Sequence, residues 1–361
     1  MGKIYETAPI PERLHEPLRQ ALAGEASAWP DDLEQDELEA LVEQGVIPLV
    51  YRATHLPALR DAAIRAAGVE IRRLADLREV LAALAAFGVD ALILKGSALA
   101  YEIYDAPELR PRGDTDLLLA REALEAARKV FASLGFTETP GSGDEHGVRQ
   151  AIFTRGPHVY DVHWAIANTA VFADALPFHE LRGRAVDLPR ISEHARGLSH
   201  VDALLLACIH RVAHHHDSDR LIWLVDIALL RDRMSGAEHA EFWRTAAERR
   251  IVGVCARAVE LADEWLSRPP RHRAEDYLSP HEVARHEASR AFMNRQITHG
   301  RVLAANLRAL PWRSRARRLW QLAFPPRRFM ERSFGTRSRL ALPWLYVYRG
   351  ARGLARLFRR V

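Results

Sequence analysis

The chain has 361 residues, 48% hydrophobic and 27% charged, enough to bury a core and too balanced for a disordered or wholly membrane-embedded protein. No run of eighteen apolar residues suggests a transmembrane helix. The net charge of +4 hides an asymmetry: residues 301–361 hold sixteen Arg, no Lys and one acid, Glu331, a net +15 that leaves −11 on the first 300 residues.

The opening stretch, MGKIYETAPIPERLHEP, lacks the apolar centre of a signal peptide, and Glu6 stands where myristoylation requires Ser or Thr. Only two cysteines occur, Cys208 and Cys255, both inside apolar helical patterns and without a neighbouring Cys in the sequence. That fits a reducing compartment and supports neither a zinc ribbon nor a redox pair, so the expected location is cytoplasmic.

Residues 1–87 read as an N-terminal helical region. DDLEQDELEALVEQGVIPLVYRAT carries acids in its first turn and apolar residues at helical spacing, and ALRDAAIRAAGVEIRRLADLREVLAALAAFG continues as amphipathic helix to Gly88. The period then changes over 88–198. VDALILKG predicts a short buried strand, SALAYEIY a helix, TDLLLA a strand, and REALEAARKVFASLG a helix ended by Gly135. FTETPGSGDEHGVRQAIFTRGPHVYDVHWAI predicts strands broken by a loop with Gly141, Gly143 and Gly147. Strands vanish over 199–310, where successive apolar helices predict a bundle, interrupted at Pro269 and Pro270 and resuming as one helix through SPHEVARHEASRAFMNRQI. The expected class is α+β: a small mixed β-sheet core with helices on one face, flanked by N-terminal and C-terminal helical regions.

Asp114 and Asp116 lie one residue apart at the start of a strand, so both carboxylates share a face. Like charges so placed are costly unless a cation sits between them. Oxygen donors at a loop–strand junction favour Mg²⁺ or Mn²⁺ over zinc, and Mg²⁺ prefers a few carboxylates plus substrate phosphates. Asp161, inside the apolar strand HVYDVHW, is the candidate third carboxylate, with an ion pair to Arg110 or Arg112 as its bland alternative. His163 falls on the same face, beside the metal rather than on it, and Trp164 on the opposite face as core. Upstream, Gly96 and Ser97 mark a strand-to-helix turn where backbone N–H groups approach a phosphate, and Lys95 reaches a triphosphate as a point charge. Arg110 and Arg112 serve either to pair with acids or to contact phosphates bidentately.

Strand-Gly-Ser-helix, then Asp-x-Asp, then a lone Asp on a later strand resembles the nucleotidyltransferase superfamily typified by DNA polymerase beta. LKGSALAYEIYDAPELRPRGDTDLLL, VYDVHW, LLLACIHRVAHHH and RLIWLVDIALL resemble, in combination, the bacterial nucleotidyltransferase-like family within it, over roughly residues 75–235. The resemblance implies a nucleotidyltransferase core in which Gly96 and Ser97 lie near the nucleotide phosphates and Asp114, Asp116 and Asp161 hold the metal. It also implies a Mg²⁺- or Mn²⁺-dependent transfer of a nucleoside monophosphate from a nucleoside triphosphate such as ATP. The acceptor is unknown, within surface polysaccharide or natural-product biosynthesis. In that mechanism Asp161 also helps deprotonate the acceptor. One departure is the longer spacing from Gly96 to Asp114, where minimal members have about ten residues. The alternatives are a toxin-like nucleotidyltransferase and a catalytically silent nucleotide- or partner-binding module.

HRVAHHHDSD offers a rival metal pair, His210 and His214, with His215, His216, Asp217 and Asp219 as further donors, but without the Glu of a zinc-protease motif. A packing or substrate-lining role is the expectation there. Asp226, an acid in an apolar helix, is expected to pair with Arg220 or a neighbouring His. The basic tail, 311–361, interleaves Arg with Trp, Phe, Tyr and Leu, and its last stretch puts Leu354, Leu357 and Phe358 on one face. It reads as a helix docked on the acidic body or lying peripherally on an anionic inner membrane face, with nucleic acid behind both.

Overall fold

The structure, a computed structural model, describes residues 9–25, 28–30, 32–139, 148–215, 217–293, 298–335 and 340–358. The start of the chain, Gly141, Gly143, Gly147, His216 and the side chain of Leu357 lie outside the described residues. The fold is α+β. Helices α1 (His15–Ala23), α2 (Gln35–Gln44), α3 (Ile47–Thr54) and α4 (Pro57–Ala86) lead in. A capping box between Glu34 and Glu37 starts α2, and Gly45 in the left-handed region ends it.

The sheet follows: β1 (Ala91–Ile93), α5 (Lys95–Glu102), β2 (Thr115–Leu119), α6 (Leu124–Ser133), β3 (Thr137–Glu138), β4 (Gln150–Arg155) and β5 (His158–His163). Its order is β1-β2-β5-β4-β3, with β2 and β5 parallel and the other pairs antiparallel. Alternation sorts the side chains into two faces. Ile93, Leu117, Leu119, Tyr160 and Val162 pack with α4 and α6, where Phe131 stacks on Phe153 at 4.3 Å. Tyr160 donates its hydroxyl to buried Asp76 of α4 at 2.7 Å, which pins β5 to that helix. Leu92 and Leu118, on the opposite face, join the large helical cluster. Asp116, Asp161 and His163 share this second face, so the helical layer becomes the other wall of whatever site they form.

After α7 (Ala170–Ala173), α8 (Phe178–Gly183) and the two-stranded ribbon β6 (Val186–Asp187) with β7 (Arg196–Gly197), that layer is built by α9 (His200–Ala213), α10 (Leu221–Arg233), α11 (Gly236–Glu248) and α12 (Val252–Trp265). Ser199 caps α9 by accepting from the Asp202 amide. The single helix expected after Pro270 is instead α13 (Pro280–Ala284) and a short 3₁₀ turn, Ala288–Met293. The break has a use: Glu287 turns inward, buried, and accepts from the amides of Val252 and Gly253 at 2.9 Å each, satisfying the start of α12. The tail forms α14 (His299–Ala309), α15 (Trp312–Ala323), α16 (Arg327–Phe334) and α17 (Leu342–Leu357). No helix among the described residues is long and apolar enough to cross a membrane.

Candidate active site

The parallel register of β2 against β5 sets Asp116 opposite Asp161 and Leu118 opposite His163. Asp116 Oδ1 accepts from Lys95 Nζ at 2.6 Å and from His163 Nε2 at 2.9 Å. The same His163 nitrogen lies 3.5 Å from Asp161 Oδ2, which also accepts from Gln150 Nε2 at 2.9 Å. Asp161 Oδ1 is buried with no hydrogen-bond partner. Burial alone would raise the Asp116 carboxyl, but the Lys95 charge and the His163 hydrogen bond hold it well below the usual carboxylate range. Burial pushes the Asp161 carboxyl up to about 6, with His163 opposing and the Asp116 charge adding to the rise.

The like charges are thus held by an internal cation. Burial disfavours the Lys95 ammonium, yet the charge of Asp116 and its hydrogen bond raise it above its ordinary value. Lys95 reaches Asp116 because it sits at φ +53, in the left-handed region, at the elbow between β1 and α5. A non-glycine residue there costs about 1–2 kcal/mol, a strain of the kind found at working sites.

Among the described residues, Asp116, Asp161 and His163 are the set of three metal-capable side chains whose ligand atoms lie within 4.8 Å of one another. Two carboxylates, one imidazole and an orphaned buried Oδ1 fit a divalent cation. Asp114 stands outside that set, exposed at the rim, and its carbonyl accepts from Ser97 Oγ at 3.4 Å. Desolvation by the surrounding walls, then the Asp116 charge, raises its carboxyl. His210 and His214 belong to no such set. Burial instead holds His210 well below its ordinary value and His214 down to about 3, and His214 Nε2 rests 3.3 Å from the Ile166 carbonyl.

Asp114 and Asp116 line a cleft of about 600 Å³, with Lys95, Gly96, Ser97 and Arg112 on the same side; Asp161 reaches it only through its neighbour Asp116. The helical layer supplies the far wall: His215 packs 4.3 Å from the Trp223 ring, His210 lies 5.1 Å from it, and the Arg220 guanidinium sits over it at 5.4 Å.

Several expectations change here. Asp226 does not pair with Arg220 or a histidine: its two oxygens take Nε and Nη2 of Arg110 at 2.7 Å each, and Tyr104 donates to it at 2.7 Å. Arg112 binds both oxygens of Glu70 at 2.7 Å, leaving its Nε and Nη2 buried without partners. Neither arginine pairs with Asp161, because each already has its own acid. Gly96 serves Arg110 as much as any ligand, since a Cβ there would stand 2.9 Å from the guanidinium. Trp164 does pack against the core of the opposite face, partly buried, with Arg121 over its ring at 4.9 Å. Cys208 and Cys255, distant in sequence, meet across α9 and α12; both are buried and free, and burial, then the Cys208 thiol, pushes Cys255 up, as in inert thiols.

Glu70, Tyr104, Gln150 and the Arg220–Trp223 wall escaped the sequence reading. Glu70 left a trace, an acid on the apolar face of GVEIRR; the others depend on tertiary placement alone.

No curated protein matches the chain significantly. One solved structure, the solution structure of the antibiotic-resistance factor ANT(2'')-Ia, is similar over 51% of this chain and 95% of that one, at 15% identity and a TM-score of 0.38. The model of the family described as uncharacterised nucleotidyltransferase matches residues 35–267, which include every acid of the cleft described above and the helical wall facing them; the chain belongs to that family.

Proposed function

We propose that this protein transfers a nucleoside monophosphate from a nucleoside triphosphate to an acceptor hydroxyl or phosphate. One observation carries the reading: two carboxylates stand in register on parallel strands, Asp161 with an orphaned buried oxygen and Asp116 lining a cleft that the start of a helix also lines. Asp116 and Asp161 would hold a divalent cation, with Asp114 at the rim and His163 beside them. When bound, that ion neutralises phosphate charge and makes the α-phosphorus electrophilic.

The chain's own residues do the rest. The first amides of α5 and the Ser97 hydroxyl orient the phosphates. Lys95 and the two unpartnered nitrogens of Arg112 offset their charge. The acceptor oxygen attacks the α-phosphorus in line, the bond to pyrophosphate breaks, and Asp161 Oδ1 takes the acceptor's proton.

A second reading, a silent nucleotide-binding module, draws support from Lys95, which already neutralises Asp116. The test is incubation of the full chain with each labelled nucleoside triphosphate, Mg²⁺ or Mn²⁺ and a panel of hydroxyl and phosphate acceptors, followed by mass analysis. Gain of one nucleoside monophosphate with pyrophosphate release, lost in Asp161→Asn, supports transfer. Metal-dependent nucleotide binding without any transfer across the panel favours the silent module.

A further inference from the structure

Ten of the fifteen large apolar side chains left exposed among the described residues lie beyond residue 311. Seven of the ten fall on two helices, α15 and α17, and Phe324 and Phe358 directly follow their ends. On α15, Trp312, Ala316, Leu319 and Trp320 recur at i, i+4, i+7 and i+8, and this helix buries none of its residues. On α17 and just past its end, Trp344, Val347, Tyr348, Leu354 and Phe358 fall at i, i+3, i+4, i+10 and i+14, one face of a helix. Trp312, Trp320 and Trp344 are 71%, 66% and 77% exposed, values that rule out a core role for all three. Exposed Arg313, Arg317 and Arg352 edge these stripes.

The tail is held to the body by other atoms. Ala305 of α14 is buried, and the Asn306 side chain accepts from the Val171 amide at 3.5 Å. Within the tail itself, Met330 of α16 is buried and Tyr346 of α17 donates to the Pro325 carbonyl at 2.7 Å. The hydrogen bonds of Arg315, Arg327 and Arg349 go to Leu310, Arg308, Glu331 and Leu322, all within the tail. The acidic body is therefore not what these three arginines pair with.

We propose that α15 and α17 form a docking face for an anionic lipid surface, with the Trp–Leu–Phe stripes at the acyl boundary and the arginines among the headgroups. Amphipathic helices of this composition lie in the interface plane. Neither is long and apolar enough to cross. The complement is electrostatic as well, since residues 301–361 carry a net +15. Lipid is favoured over nucleic acid by Leu319, Val347 and Leu354, aliphatic groups that offer bases nothing to stack on.

The test uses the full chain with phosphatidylcholine vesicles, with and without about 30 mol% phosphatidylglycerol, at low and high salt. Sedimentation is expected to show about tenfold or more tighter binding to the anionic vesicles, weakened at high salt. The triple substitution W312A/W320A/W344A should lower that binding about tenfold with an unchanged melting temperature, because all three side chains are exposed. The set R313Q/R317Q/R352Q should flatten the salt dependence. Equal binding to neutral vesicles, or a triple tryptophan variant that binds as before, overturns the proposal. So does tighter binding to a single-stranded oligonucleotide than to lipid, or a dimer that the tryptophan substitutions dissolve.

Discussion

Asp116 and Asp161 face each other in register across the parallel strands β2 and β5, yet only Asp116 is bonded to Lys95; Asp161 keeps one buried oxygen with no partner. The two acids should therefore respond oppositely to removal of their charge. Asp116→Asn leaves the Lys95 ammonium uncompensated in a largely buried place, at a cost of about 3–5 kcal/mol. Asp161→Asn removes a charge that burial disfavours, so the metal-free protein should melt at the same temperature or higher. Transfer should fall by about two to three orders of magnitude in both, the scale of losing one charge-stabilising group. Thermal melts with and without Mn²⁺ check the assignment: stabilisation by the ion in the wild type, absent in Asp161→Asn. Undiminished ion stabilisation in that variant removes Asp161 from the site.

Arg110 ties the loop before β2 to α10 through Asp226 and Tyr104, with Gly96 making room for its guanidinium. Asp226→Ala strands a buried guanidinium and should cost about 3–5 kcal/mol by urea unfolding. Arg110→Lys should not restore the paired geometry, because an ammonium cannot form the two-pronged contact. Gly96→Ala should cost about 1–3 kcal/mol by overpacking. Its effect should be markedly non-additive with Arg110→Ala, since that substitution removes the atoms the methyl meets. Additive costs would mean the glycine serves something other than Arg110.

The shared face of Asp116, Asp161 and His163 was legible because strand alternation is rigid, whereas Asp114, one residue before β2, falls outside their set. The elements were legible for the same reason, from β1 at VDALILKG to the bundle after Ser199. What the sequence could not specify is pairing. Asp226 lies 116 positions from Arg110, and nothing local separates that partner from the nearer Arg220. The broken helix near Glu287 was hidden because its cause, the open amides of Val252 and Gly253, lies 34 to 35 positions away. The bond from Lys95 to Asp116 was hidden as well, because the positive φ that turns Lys95 onto that acid leaves no mark in composition.

Arg220 Nε is buried without a hydrogen-bond partner, and its guanidinium lies over Trp223 in the cleft. Burial, then the charge of Arg110, lowers it from its ordinary value, so the folded protein gains little from this charge. Arg220→Gln should leave the melting temperature unchanged or raise it. If the wall binds an anionic part of a substrate, the same substitution should raise KM about tenfold or more with a smaller change in kcat. Trp223→Leu should act in the same direction. Unchanged KM in both variants would make the wall packing alone.

His214 supplies a pH signature of its own sign. Its folded value is about 3 against 6.5 when unfolded, and buried His210 is lowered in the same direction. Between these values the unfolded chain binds more protons, so the stabilisation is fully present above about 6.5 and declines as pH falls through the window. Each histidine contributes at most about 1.4 kcal/mol per pH unit. Asp161 works with the opposite sign over part of the same range, so the comparison must be between wild type and variant rather than between pH values alone. His214→Gln keeps a donor for the Ile166 carbonyl and has no titrating ring. Urea unfolding at pH 7.5 and at pH 5 should then show a slope shallower by about one proton in the variant. An identical slope in the two proteins would mean that His214 is charged in the folded state.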